Sequence, residues 1–502
     1  MPLLVQRNPR QMRLLVGILG LPSLQVMGQN AERIKMDGYQ KWAEKRYREL
    51  GDIDLISKFT KIVSEYCDAP EDFIKAGGYH LVASLLGRFA ILPNVPYGNK
   101  PNPWFILSSI PSRMRRSTVL NYVEFVYKRA LSYFYNGDKD TKQKIAHSIL
   151  EEGTIEGLMD HIETAYNEGI TAFTIMSSEF GGILKRMTST NYQIGVSSFL
   201  SKLKYGEEGT MYLSTRGGKK GIRHIPHGLF VTMFTSMQEP EFYITKEQVR
   251  QGLMRRLMII YKRPADLKRW LSPLRLERAD VWRLLDCYAT ELAEKMGILH
   301  QRRYFRLRYD DEPAVPIYIT ENEAINQLAK DLEMSLVEKD KKGIKVSDLD
   351  IYKLGFTEQI IELSAVRSLA RFQLVEGDTL SFVVTEEDLK EAQAFHKSIS
   401  SRIEEVFESI SVRRQPLKIE ETIEKIFEFI RRGGKSGVAK SELYRAFQIK
   451  ANELESCLAS LIRADRIVMI TEKTGKPGKP RTRIIAKAFL TPEEIEEYKK
   501  AI

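Results

Sequence analysis

The chain has 502 residues and a mass of 57.8 kDa, a length that predicts roughly three or four domains. With 43% hydrophobic and 28% charged residues it has the balance of a globular protein with apolar material for more than one core. The formal charge of +11 favours a polyanionic partner where the cations cluster. Three scattered cysteines (Cys67, Cys287 and Cys457) exclude a disulfide framework and a cysteine zinc site, and fit a reducing cytoplasm.

No apolar run reaches bilayer length, so no membrane span is expected. Leu14–Val26 follows Arg7, Arg10 and Arg13, but Pro22 and the missing small-residue cleavage site argue for a short buried helix over a signal peptide. Residues 30–95 read as helices. Asp68 is the expected N-cap of one of them, with Pro70 inside its first turn. The proline-, glycine- and asparagine-rich stretch Pro93–Pro103 then closes an expected helical domain, 1–95.

Short apolar runs at Trp104–Leu107, Ala172–Met176, Leu229–Phe234 and Leu257–Tyr261 follow. Among them lie helical stretches, at about Ser117–Tyr135 and Asp140–Glu168. Buried strands alternating with helices predict a three-layer α/β domain with a parallel sheet over 96–265. A linker and helical lid are expected over 266–412. There Ile360, Ile361, Leu363, Val366, Leu369 and Ala370 form one apolar stripe. Thr385–Asp388 is a capping-box-like start ahead of Leu389, Ala392 and Phe395. Residues 413–502 read as helices Ile419–Arg432, Lys440–Phe447 and Asn452–Ala464, then strands Ile467–Thr471 and Arg483–Ala486 around a glycine- and proline-rich tip. Three helices and a hairpin predict a winged helix.

The first strand runs through Ser109–Arg115 into Arg116-Ser117-Thr118 at a helix start. A strand, a tight loop and a helix N-terminus make a place for a phosphate, with the basic residue and hydroxyls where a cation and a magnesium ligand belong. The second strand ends in Ser177-Ser178-Glu179, with Glu179 placed to polarise an attacking water beside Mg2+. Ser178 stands where an acidic metal ligand is expected. The third strand ends in Thr235-Ser236, polar groups within reach of a γ-phosphate. Arg255 and Arg256 precede the fourth strand, where an arginine finger for a neighbouring subunit could project.

Two further features concern nucleic acid. Short strands flank a Gly-Gly hairpin tip carrying Arg216, Lys219, Lys220 and Arg223 with no acid, a pattern suited to phosphate contact. The wing carries Lys473, Lys476, Lys479, Arg481 and Arg483, again without an acid, and helix Asn452–Ala464 adds Arg463. His224 and His227 have metal-like spacing but no further ligands nearby, and read as unliganded.

Taken in order, these pieces resemble the AAA+ ATPases of the minichromosome maintenance (MCM) helicase type. They are also similar to the primase-helicase-like P-loop proteins of viruses and plasmids. There the stretches Ser177–Gly182 and Gly252–Arg256 have counterparts. The resemblance implies that Arg116 and Ser117, with Thr118 beside them, match the nucleotide-loop Lys and Ser/Thr. It likewise implies that Glu179 is the catalytic carboxylate, Thr235 or Ser236 the sensor, and Arg255 or Arg256 the finger. Lys219 and Lys220 match the DNA-contacting tip of a pore hairpin, while Lys353 and Arg367 are candidates for the lid's sensor cation. The chain departs from the family pattern in lacking the loop glycines, the lysine and the metal-binding aspartate. The implied protein is a cytoplasmic homo-oligomer, a hexamer in the helicase family, binding ATP and Mg2+ between subunits. It would hold single-stranded DNA in a pore and duplex DNA at the winged helix during DNA replication. The alternative is a DNA-binding initiator or scaffold that keeps the P-loop fold without hydrolysis.

Overall fold

The computed structural model describes residues 39–95, 100–109, 114–135, 140–150, 155–181, 193–214, 220–238, 244, 252–267, 278–306, 312–319, 323–375, 380–413, 419–447, 451–464, 466–472, 481–491 and 493–494. The chain forms two compact units, Met1–Phe407 and Glu408–Ile502.

The first unit opens with helices α1 (39–48), α2 (Leu55–Tyr66) and α3 (Glu71–Leu85), then β1 (Ala90–Ile91). Asp54 caps α2, accepting from the Ser57 amide at 3.0 Å. Asp68 does not cap α3 as the sequence predicts. Pro70 holds that position, its carbonyl accepting the first helical amides, while buried Asp68 accepts from Arg115 Nε at 3.0 Å. Helix α3 is buried on nearly all sides. Gly77 makes this possible, because a Cβ there would stand 2.8 Å from Val123 Cγ2.

The α/β layer follows: β2 (Trp104–Ser109), α4 (Arg116–Phe134), α5 (Thr141–His147), β3 (Ile149–Leu150), α6 (Ile155–Asn167), β4 (Ala172–Ser177), α7 (Gln193–Tyr205), β5 (Gly209–Ser214), β6 (Lys220–Ile225), β7 (Phe230–Met237) and β8 (Met258–Lys262). Strands β2, β4, β7 and β8 are buried along their whole length, so apolar residues on both faces hold them between helical layers. They form a five-stranded, all-parallel sheet in the order β3-β4-β7-β2-β8, while β5 and β6 form a separate antiparallel hairpin. The helical run expected over Asp140–Glu168 is interrupted by β3, which takes the sheet edge beside β4.

The remainder of the unit is α8 (Arg278–Arg302), β9 (Val315–Ile319), α9 (Glu323–Lys341), α10 (Asp348–Lys353), α11 (Phe356–Arg371), β10 (Phe382–Val384), α12 (Glu386–Ile399) and the start of α13 (Ile403–Arg413). Thr385 and Asp388 form the expected capping box, and buried Asp388 also accepts from Arg371 Nε at 2.7 Å. Strand β9 pairs in parallel with both β1 and β10, joining the chain's early residues to its later ones. Phe59, Tyr79, Phe105, Val123, Leu285, Leu363 and Phe395 belong to one continuous core. The described parts of 1–95, 96–265 and 266–407 therefore share a core.

The second unit contains α14 (Ile419–Arg432), β11 (Val438–Ala439), α15 (Lys440–Phe447), α16 (Ala451–Arg463), β12 (Ile467–Glu472) and β13 (Arg481–Ala486). Its sheet is antiparallel in the order β11-β13-β12. Ile426, Ile430, Leu443, Leu454, Leu458 and Ile484 make its own core. Gly437 enters β11 with φ +64°, and a Cβ there would lie 2.8 Å from the Ile484 carbonyl oxygen. Among the described residues no helix is long and apolar enough to cross a membrane.

Candidate functional site

Because all five core strands run the same way, their C-terminal ends share one edge. The register places Thr235 opposite both Ile106 of β2 and Ser177 of β4, and Ser236 opposite Leu107. Strand β7 thus separates the loop-bearing strand from the Glu179-bearing strand, and all three strand ends lie at the same sheet edge. Ligands of open α/β sheets bind at such an edge.

Arg116, Ser117 and Thr118 begin α4, and its first turn contains no acid. The hydroxyl-bearing Ser117 is exposed at that positive helix end, while Arg116 and Thr118 are half-buried. Arg115 precedes the helix in the left-handed conformation, with φ 54°, and its ion pair with Asp68 anchors the turn. The Arg116 guanidinium donates to the Met237 carbonyl, tying the helix start to the end of β7. Beside it, Ser108 Oγ donates to the Gln238 carbonyl at 2.6 Å.

Glu179 lies just beyond β4 with its side chain exposed, and its amide donates to Ser177 Oγ at 3.2 Å. Ser236 Oγ donates to the Ser178 carbonyl at 2.8 Å, which fixes the turn that presents Glu179. Thr235 is fully buried, and its hydroxyl faces the Phe105 carbonyl at 3.5 Å. Both sensor candidates are therefore committed within the protein. Ser236 is buried and ties down the Ser178 carbonyl beside Glu179 instead of offering its hydroxyl to solvent. Among the described residues no group of three or more His, Cys, Asp or Glu side chains is placed to hold a metal ion. A magnesium ion here would depend on Ser117, Glu179 and the nucleotide's own oxygens.

Arg255 and Arg256 occupy a 3₁₀ turn, Met254–Arg256, immediately before β8. Since Phe105 pairs with Met258, the two arginines lie at the N-terminal edge of the sheet, opposite the edge that carries Ser117 and Glu179. The five residues of β8 separate the edges by roughly 16 Å, at about 3.3 Å per residue. Arg256 donates to Tyr205 Oη at 3.1 Å and to the Gly252 carbonyl at 2.6 Å. Tyr205 in turn donates to Glu358 at 2.7 Å. Gln359 Nε2 donates to the Arg255 carbonyl at 2.9 Å, and Gln359 Oε1 lies 2.8 Å from His396 Nε2. Burial lowers His396 to about 4, so the imidazole is neutral in this contact near pH 7. Sequence reading missed this network, because α11 meets Tyr205 and the Arg255 carbonyl across 153 and 104 positions and the members share no local pattern.

The lid candidates lie elsewhere. Arg367 is buried in ion pairs with Asp54 and Glu391, and Lys353 pairs with Glu404 at 2.8 Å. In the basic hairpin, β6 begins at Lys220, opposite Ser214, and Arg223 stands opposite Met211. Arg216 and Lys219 lie outside the described residues. In the second unit, Arg463 ends α16 and Arg481 begins β13, opposite Glu472; half-buried Arg483 pairs in register with both Ala439 and Ile470. Lys473, Lys476 and Lys479 lie outside the described residues.

No protein-family model matches the sequence, and no curated protein is detectably similar to it.

Proposed function

We propose that the chain is an AAA+-type, DNA-binding protein of DNA replication, an MCM-like helicase or translocase that couples ATP to movement on DNA. One observation carries this reading. Strand β7 lies between β2 and β4, so the Arg116-Ser117 helix start, Glu179 and the Ser236 bond that positions it meet at one sheet edge. A nucleotide there would set its phosphates at the N-terminus of α4 and its terminal phosphate towards Glu179. Arg255 and Arg256 sit at the far edge, away from a nucleotide in their own chain, and because Arg256 is engaged by Tyr205 and the Gly252 carbonyl, Arg255 is the finger candidate towards a neighbouring subunit. That geometry favours a homo-oligomer, and a ring such as a hexamer would close the contacts. The second unit, with three helices and a three-stranded antiparallel sheet, fits a winged helix holding duplex DNA. The β5–β6 hairpin is the segment for single-stranded DNA.

A second reading, a non-hydrolysing initiator or scaffold, is favoured by one contact. The Arg116 guanidinium, standing where a phosphate-binding lysine is expected, is turned onto the Met237 carbonyl. Steady-state ATP turnover with and without single-stranded DNA separates the two. The motor reading expects DNA-stimulated turnover that Glu179→Gln reduces at least a hundredfold. Turnover no higher than in that variant, with DNA binding intact, would leave the scaffold.

A further inference from the structure

Beside the N-terminal edge of the core sheet, residues from around β1, α7, the arginine turn, α9 and α11 line a half-open cavity of about 630 Å³. This lies within the size range of small-molecule sites. Leu92, Leu332, Leu354 and Ile361 supply aliphatic wall. Glu207, Glu333, Glu358 and Glu362 also line it, and these carboxylates outnumber the guanidiniums of Arg255 and Arg256. Arg256 is already held by the Gly252 carbonyl and Tyr205.

Glu362 distinguishes this cavity from an acidic surface. Its side chain is only 3% exposed. Oε1 accepts from Lys204 Nζ at 2.7 Å, whereas Oε2 is buried with no hydrogen-bond partner among the described residues. An unfilled acceptor on a buried carboxylate is a place for a donor from a ligand.

We propose that this cavity binds a small aliphatic amine in its ammonium form, the N–H groups donating to Glu362 Oε2 and the carbon chain lying against Leu332, Leu354 and Ile361. The excess of carboxylates selects a cation over an anion. The aliphatic lining favours an alkyl body, since the Tyr205 ring is already covered by the Arg256 guanidinium at 5.1 Å. Lys204 does not fill the site, because its ammonium engages the other oxygen and the Asn102 carbonyl. Binding should also move a proton. Burial raises Glu362 to about 7, and an ammonium at Oε2 draws it to the ionised form. The groups facing it are Lys204, Tyr205 and Glu358, with Glu207, Glu333, Arg255 and Arg256 around the same cavity.

The test is isothermal titration of the full chain, without nucleotide, with n-hexylammonium chloride at pH 6, 7 and 8 and with sodium hexanoate as the control. Because neither nucleotide nor DNA is present, the outcome is independent of the ATPase reading. We expect saturable one-to-one binding of the amine only, strengthening about tenfold from pH 6 to pH 8. Glu362→Gln should weaken binding and remove the pH dependence. Ala329→Trp, which leaves the Lys204–Glu362 pair in place and fills the cavity from α9, should abolish it while thermal unfolding stays cooperative. Absence of saturable binding, preference for hexanoate, affinity that does not rise with pH, or unchanged binding in Ala329→Trp would each overturn the proposal.

Discussion

Glu362 and Lys204 show how a single buried pair ties pH to stability. Burial lifts the Glu362 carboxyl to about 7 from an ordinary value of 4.5, although Lys204 draws it the other way. Between those two values the folded chain therefore holds a proton that the unfolded chain has released. Stability accordingly falls as pH rises from about 4.5 to about 7, by an amount on the order of a few kcal/mol, and levels off above. Urea midpoints at pH 5 and pH 7.5 measure this, and Glu362→Gln should flatten the difference. An equal slope in the variant would assign the titration to another group. Neighbouring residues in sequence can have unlike roles at this scale. Arg115 anchors to Asp68, whereas Arg116 reaches across to β7.

Helix α3 is the element on which the core sheet rests. It packs against β7 and α4, and His80 contacts Thr174 of β4 at 2.9 Å through Nε2. Full burial lowers His80 to about 3, so it contributes to this packing as a neutral ring near pH 7. Gly77 lets α3 approach α4 within van der Waals contact. Gly77→Ala should therefore destabilise the chain by about 1–3 kcal/mol through overpacking, despite alanine's better helix propensity. A urea midpoint equal to or above that of the parent chain would show that Val123 can yield. The apolar positions of α11 and the capping box of α12 were legible beforehand, since both are local patterns of a few residues, although α11 is buried on every side from Glu362 to Ala370 and not along one stripe. The true start of α3 was not, because what removes Asp68 from the cap is an arginine forty-seven positions away.

In the whole molecule, strand order decides what the site residues can do. Insertion of β7 between β2 and β4 gathers the helix start and Glu179, and the parallel direction of β8 places the arginine turn at the other edge. The second unit has its own core and its own sheet, suited to a separate task. On the proposed DNA-binding reading, replacing Lys473, Lys476, Lys479 and Arg481 by alanine should weaken duplex DNA binding. If each contacts one phosphate, the log–log salt slope should become shallower by about 3 to 4. Fluorescence anisotropy across a salt series reads this directly, and an unchanged slope would remove these residues from the proposed interface.

Much of the element inventory was determined by the sequence alone. Strands buried on both faces must be apolar throughout, helices with one buried face must repeat every three or four residues, and caps need particular side chains within one turn. Those signals span a few residues, so composition and spacing reveal them. The tertiary structure alone decided the order of the strands, the opposite edges of Glu179 and Arg255, the burial of Thr235 and Ser236, and the pairing of Lys204 with Glu362. Each depends on contacts between residues far apart in the chain, 158 positions in the last case. Such contacts leave no periodic trace, because what selects the partner is the shape of the assembled core.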